Sequence, residues 1–275
     1  MAVTIDPYRL RRSRLTEGPP SQGRDDLPGG RHRHRRDVIA RVAHTNENPA
    51  QNVTFPSGGG TAHGYLARPD SGSGPGLIVI QEWWGLTDHI VDVTNRFAAE
   101  GFVALAPDLY GGRTTHDSDE AGKLMAELPV QQAATDLAGA VEYLLGRDDV
   151  TSSAVGAVGF CMGGGFVLVL AAQQGDKVAA AVPFYGVLKE DYPSFANLTA
   201  AVQGHFGAED TMATPDAVSS LADRIESESG TRPEFLQYPA GHAFFNDENH
   251  MGTYDAEQAE IAWTRATQFL REHVK

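Results

Sequence analysis

Midway along the chain an apolar stretch, Ala154-Val155-Gly156-Ala157-Val158, runs without a break into Gly159-Phe160-Cys161-Met162-Gly163 and then into a second apolar stretch from Gly164 to Leu170. The first reads as a strand buried on both faces and the second as a helix. Only a very tight strand-to-helix turn joins two such elements with so few residues between them. In such a turn, side chains two positions either side of the apex collide unless they are small. Gly159 and Gly163 fill those two positions, and the only cysteine of the chain stands at the apex.

The rest of the chain from Val53 onward repeats the alternation. Strands are predicted over 61–68, 77–80, 102–106, 154–159, 178–184, 200–206 and 234–238, and helices over 88–100, 131–146, 162–173, 215–228 and 256–272. Asp88 is a plausible N-cap for the first helix and Gly101 its stop. Regular exchange of strand and helix predicts an α/β fold, with a mainly parallel sheet covered by helices on both faces. Sites in such folds lie at the carboxyl ends of the strands.

A chain of 275 residues, 41% of them apolar, has enough material for one large core. We assign residues 51–275 to that domain and residues 1–50 to an N-terminal extension. The extension holds ten arginines and no lysine, with Gly-Pro-Pro, Pro-Gly-Gly and the run Arg31-His32-Arg33-His34-Arg35-Arg36, a composition expected of disorder. A formal charge of −14 argues against nucleic acid as a partner. A lone cysteine forms no internal disulfide, and no apolar run reaches the roughly 20 residues of a membrane span. A cytoplasmic protein, monomeric or a small homo-oligomer, is therefore expected, with no membrane partner. No metal-ligand spacing such as C-x-x-C or H-E-x-x-H occurs, and no metal or other cofactor is expected.

The segment G-x-C-x-G between strand and helix is the nucleophile-elbow pattern with cysteine in the usual place of serine. The apex also sits at a helix N-terminus, where free N–H groups and the helix dipole favour thiolate over thiol. A nucleophile of this kind needs a base and an orienting acid, which follow it along the chain in that fold in the order nucleophile, acid, histidine. Asp210 ends the strand 200–206 and His242 follows the strand 234–238, so Cys161, Asp210 and His242 form the candidate catalytic set. Glu209, the rival to Asp210, sits one residue earlier and points elsewhere. His205 falls inside a strand and reads as a core or sheet-face residue, and the other histidines are expected in the extension, on helices or on exposed turns with solvated roles. Gln81-Glu82-Trp83-Trp84-Gly85 follows the buried strand 77–80, which makes the backbone N–H groups of Trp83 and Met162 the expected oxyanion donors.

Taken together, Q-E-W-W-G at 81–85, A-P-D-L-Y-G-G at 106–112, G-F-C-M-G-G at 159–164, F-Y-G-V at 184–187, G-x-x-D at 207–210 and A-G-H-A-F at 240–244 closely resemble the dienelactone hydrolase, or carboxymethylenebutenolidase, family. The resemblance covers about residues 52–273 and implies the α/β-hydrolase fold. It also implies that Cys161, Asp210 and His242 are the triad and that Glu82 engages the resting cysteine until substrate displaces it. Tyr185 matches a tyrosine lining the family's site. Members acting on dienelactone hold its carboxylate with two arginines; here Arg113 is displaced by one position and Asn246 stands in the place of the second. Asparagine cannot reproduce the bidentate, charge-assisted clamp of a guanidinium. Arg113, Tyr185, Trp84 and Asn246 are therefore the candidate substrate-binding residues, and the expected partner is a small-molecule lactone or activated ester other than dienelactone itself. A broad esterase or thioesterase with the same triad is the alternative, and a non-catalytic binding protein of this fold a more distant one.

Overall fold

A computed structural model describes residues 48–188 and 192–275. The expectation for the N-terminal extension falls almost wholly outside the described residues. The described chain runs β1 (Val53–Ser57), β2 (Gly60–Ala67), β3 (Gly76–Ile80), α1 (Asp88–Ala99), β4 (Val103–Pro107), α2 (Ser118–Glu127), α3 (Val130–Leu145), β5 (Val155–Phe160), α4 (Met162–Gln174), β6 (Val178–Phe184), β7 (Ala201–Gly207), α5 (Pro215–Ser229), β8 (Glu234–Tyr238) and α6 (Ala256–His273). The strands form one eight-stranded sheet in the order β1-β2-β4-β3-β5-β6-β7-β8. β2 pairs antiparallel with both β1 and β4, and all other pairings are parallel.

Strand β3 explains why the middle of the sheet is so apolar in sequence. Its residues are all buried: Ile78 and Ile80 enter the core under α3 and α4, while Leu77 and Val79 enter the core under α1 and α6. A strand covered on both faces has no polar side to alternate with. Helix α4 is likewise buried from Met162 to Ala172, so it shows no amphipathic stripe. The chain winds from β3 outward to β4, crosses back to β5 on the other side of β3, and continues through β6, β7 and β8. The carboxyl ends of β3 and β5 therefore flank the point where winding reverses, the usual place for a ligand crevice in an open α/β sheet.

The predicted strands and helices are all present, with ends shifted by at most one residue, and a further strand and a further α-helix appear. Strand β1 contains Pro56, which reads as a strand breaker but is tolerated at a sheet edge, and its Phe55 is buried. Helix α2 buries only Ala121 and Leu124, so its sequence carries almost no periodic signal, although Asp117 caps it by accepting from the Glu120 N–H. At α1 the N-cap is Thr87 and Asp88 is the first helical residue, where its charge meets the helix dipole. Among the described residues no helix is long and apolar enough to cross a membrane.

Phe97 of α1 is fully buried, with its ring 4.4 Å from that of Trp263 on α6 and 6.3 Å from that of Phe102. It joins the two helices that cover one face of the sheet. Phe97→Ala is expected to lower unfolding free energy by about 3 to 5 kcal/mol, the usual cost of emptying an aromatic site in a packed core. Urea denaturation of the purified variant measures this, and a loss below about 1 kcal/mol would show that the two helices do not depend on that contact.

Candidate active site

The turn after β5 is as tight as its glycines suggest. Cys161 adopts φ 52° and ψ −118°, a conformation a side-chain-bearing residue rarely takes. A Cβ at Gly159 would lie 2.4 Å from the Gly163 carbonyl oxygen, and a Cβ at Gly163 would lie 2.4 Å and 2.5 Å from the carbonyl oxygens of Gln81 and Ile80. Either added carbon would push α4 off its seat on the sheet. The strained apex is fixed by backbone: the Cys161 N–H donates to the Phe184 carbonyl at 3.1 Å, and the Cys161 carbonyl accepts from Gly164 at 3.0 Å.

The ends of β5, β7 and β8 bring three predicted residues into a chain. His242 places Nε2 at 3.3 Å from Cys161 Sγ and Nδ1 at 2.7 Å from Asp210 Oδ2. The other oxygen of Asp210 accepts from the backbone N–H groups of Met212 at 2.7 Å and Ala213 at 2.9 Å. These two donors hold the carboxylate independently of the histidine. Glu209 is exposed and points away. The imidazole is held from behind as well, since the Thr253 hydroxyl donates to the His242 carbonyl and the Tyr185 ring meets it edge-on with centroids 5.2 Å apart.

Both ring nitrogens of His242 face acceptors, an arrangement that suits imidazolium. Burial disfavours that charge, but the hydrogen bond to Asp210 and the bond and charge of Cys161 outweigh it and push the histidine pKa up to about 10. Burial also works against the Asp210 carboxylate. The hydrogen bond and charge of His242, with the two backbone donors, nonetheless hold its pKa below the usual range.

Glu82 follows β3 and is buried. Its Oε1 accepts from the Tyr185 hydroxyl at 3.2 Å, and its Oε2 accepts from the Asn246 amide. Burial, the largest influence, raises the pKa of this carboxyl, while His89, the Asn246 amide, His242 and the Tyr185 hydroxyl pull it back only in part. The expected engagement of Glu82 with the resting cysteine is not what the structure holds: Glu82 faces Tyr185 and Asn246, and the thiol faces His242. Two donors on other loops satisfy the carboxylate, which leaves the sulfur to the imidazole. Tyr185 itself has φ 38° and is fully buried, and desolvation together with Glu82 keeps it a phenol, well suited to donate.

The remaining predicted residues divide. Trp83 follows the end of β3 and Met162 opens α4, and among the described residues neither backbone N–H donates to another backbone group. Trp84 is buried, edge-on to Trp83 with centroids 4.8 Å apart. Asn246 reaches the site but uses its amide on Glu82. Arg113 is not gathered with them: its guanidinium pairs with Glu127 of α2 at 3.0 Å, with both side chains about half exposed. Tyr110, in the same loop, donates to the Met162 sulfur at 3.5 Å.

His89 corrects the expectation that helical histidines are solvated. It is buried on α1, with Nδ1 2.9 Å from Asp247 and Nε2 buried without a hydrogen-bond partner among the described residues. Its place on the same helical face as Val93 and Phe97, four and eight residues on, was the available signal. His205 is buried inside β7, bonded to the Tyr238 hydroxyl at 2.7 Å and stacked on Phe184, as its strand position suggests.

The model of the dienelactone hydrolase family matches residues 62–274. The protein usf of Aquifex pyrophilus is 32% identical over 230 residues, which cover 82% of this chain and 99% of that one. Among solved structures, a dienelactone hydrolase-like promiscuous phosphotriesterase from metagenomic libraries is 26% identical with a TM-score of 0.71, covering 82% of this chain and all of the other. A dienelactone hydrolase from Anabaena variabilis, at 18% identity and a TM-score of 0.59, shares the fold over 83% of this chain.

The raised pKa of His242 gives a signed expectation. Stability from its charged form is full below the ordinary histidine value near 6.5 and is lost as pH rises through about 10. The ring should still carry its second proton at pH 8, read from the imidazole NMR shifts. Asp210→Asn removes the charge but keeps an oxygen for Met212 and Ala213, so the same ring should titrate at markedly lower pH. An unchanged titration in that variant would separate Asp210 from the proton on His242.

Proposed function

Because the chain belongs to the dienelactone hydrolase family, we propose that it hydrolyses a lactone or activated carboxylic ester through a covalent thioester on Cys161. The supporting observation is the unbroken chain from sulfur to imidazole to carboxylate, at 3.3 Å and 2.7 Å. The thiolate adds to the substrate carbonyl, and the oxyanion that forms accepts from the N–H groups of Met162 and Trp83. Collapse of that intermediate breaks the acyl–oxygen bond, and the departing oxygen takes the proton from His242 Nε2. Neutral His242 then removes a proton from water as the water adds to the thioester, and the second intermediate expels the thiolate and releases the acid.

The electrostatics support this order of events. Two of the influences that hold the proton on His242 come from the bond and the charge of Cys161. Once the sulfur is acylated both vanish, so the imidazolium becomes a stronger acid at the step where the leaving group needs its proton. Asp210 remains throughout and keeps the ring oriented for the water step.

The site favours an uncharged or weakly charged ester over an anionic one. Arg113 is occupied by Glu127, the Asn246 amide by Glu82, and a buried carboxylate, Glu82, lies close by. No guanidinium is therefore gathered at the described site to hold a substrate carboxylate. A broad esterase or thioesterase is the second reading for that reason. Comparing kcat/KM for cis- and trans-dienelactone, p-nitrophenyl acetate and acyl thioesters distinguishes them, and the simple ester is expected to match or exceed dienelactone.

Cys161→Ala should lose about 10⁴-fold or more in kcat on whichever ester proves best. Cys161→Ser should also lose most activity, because an alkoxide requires far stronger base assistance than a thiolate. Near wild-type turnover by the serine variant would overturn the thiolate mechanism. Mass spectrometry of the quenched wild-type reaction should find one acyl group on the peptide that contains Cys161.

A further inference from the structure

We propose that His116, Glu248 and His250 form a binding site for a divalent cation of the zinc class at the mouth of the active-site crevice. His116 lies in the loop between β4 and α2, and Glu248 and His250 lie in the loop between β8 and α6, so no contiguous spacing reveals the set. One ligand atom from each residue lies within 4.8 Å of the other two. His250 Nε2 stands 3.3 Å from Glu248 Oε2, and the His116 and His250 rings meet edge-to-face with centroids 4.4 Å apart. Two ligands bound at about 2.0 to 2.1 Å in a tetrahedral shell stand roughly 3.3 to 3.4 Å apart. The histidine–glutamate pair already has that separation. His116 is exposed and free to swing inward by the remaining distance.

A second observation concerns Glu248 by itself. Among the described residues its buried Oε2 accepts no hydrogen bond, and the His250 nitrogen stands 3.3 Å from it. A buried carboxylate oxygen without a donor is costly unless a cation satisfies it. Two imidazoles and one carboxylate select borderline first-row ions over magnesium or calcium, which prefer oxygen ligands throughout. Three protein ligands also leave a fourth position for water or another donor.

The place of the site gives it a consequence. The His250 ring lies 5.6 Å from that of Trp84, and both line a small cavity together with Asn246 and Asn249. Asn246 accepts from the Glu248 N–H at 3.0 Å and donates to Glu82. A cation held by Glu248 would tie the loop after β4 to the loop after β8 and fix the asparagine that holds Glu82.

The test uses the full chain carrying Cys161→Ala, which removes the thiolate as a competing ligand, after stripping with a chelator. Titration with zinc chloride by calorimetry should show binding that His250→Ala and Glu248→Gln each weaken at least about tenfold. Zinc should raise the thermal midpoint of the parent and not of either variant, while magnesium and calcium should have no effect. His116→Gln, at an exposed position, repeats the test if a change at Glu248 disturbs its loop. Absence of zinc binding, or binding that none of the three substitutions weakens, overturns the proposal. Because the readout is metal affinity, it stands or falls apart from the ester-hydrolase reading.

Discussion

The site depends on one close backbone approach, the seating of the start of α4 against the end of β3. Any side chain at Gly163 would meet the carbonyl oxygens of Ile80 and Gln81 at 2.4 to 2.5 Å, so these two segments are as near as atoms allow. That contact brings the start of the helix that Met162 opens against the end of the strand that Trp83 follows within three residues. Cys161 stands immediately before that helix in its strained backbone geometry. The parallel arrangement of β3, β5, β7 and β8 then delivers Glu82, Cys161, Asp210 and His242 to the same edge of the sheet. Core packing on both faces of β3 supplies the rigidity that keeps the strain at Cys161 from relaxing.

Within this frame the charge inventory is unbalanced. Glu82, Asp210 and the Cys161 sulfur are three acidic groups near one imidazole, that of His242. The fold resolves this by treating the acids differently. Asp210 receives two backbone N–H groups and the imidazole, and its pKa stays low. Glu82 receives a phenol and an amide, both neutral donors, and its pKa rises with burial. A carboxyl in that condition takes up a proton more readily than Asp210 does. The like-charge repulsion against a thiolate is thereby reduced without removing the group.

The parallel sheet and the contact chain of Cys161, His242 and Asp210 were legible in sequence for the same reason: both are specified locally. A strand buried on both faces announces itself in Leu77 to Ile80, and a strand end followed by a turn announces Asp210 and His242. What was not legible depends on neighbours that are distant along the chain. β1 is a strand because Phe55 has a core to enter, despite Pro56, and α2 is a helix on the strength of its cap and two buried residues. His89 is buried by packing against Phe245 and pairing with Asp247, residues from the opposite end of the domain. The difference between Thr87 and Asp88 as the helix cap lies within the one-residue uncertainty of any helix end.

Asn246 shows how one such distant pairing changes the chemistry available. By the resemblance to the dienelactone hydrolase family it stands where an arginine is expected to clamp a substrate carboxylate, and asparagine there reads as a loss. In the fold its amide is bonded on both sides, donating to Glu82 and accepting from the Glu248 N–H. An arginine in its place would neutralise Glu82 with a full charge and lower its pKa, since a nearby cation favours the carboxylate. Asparagine satisfies the hydrogen bond without supplying the charge. Glu82 is left with a raised pKa, and no cation from this loop is presented to a substrate. One residue therefore couples two properties, the protonation of the buried glutamate and the charge that this loop presents, so neither can be altered at position 246 without altering the other.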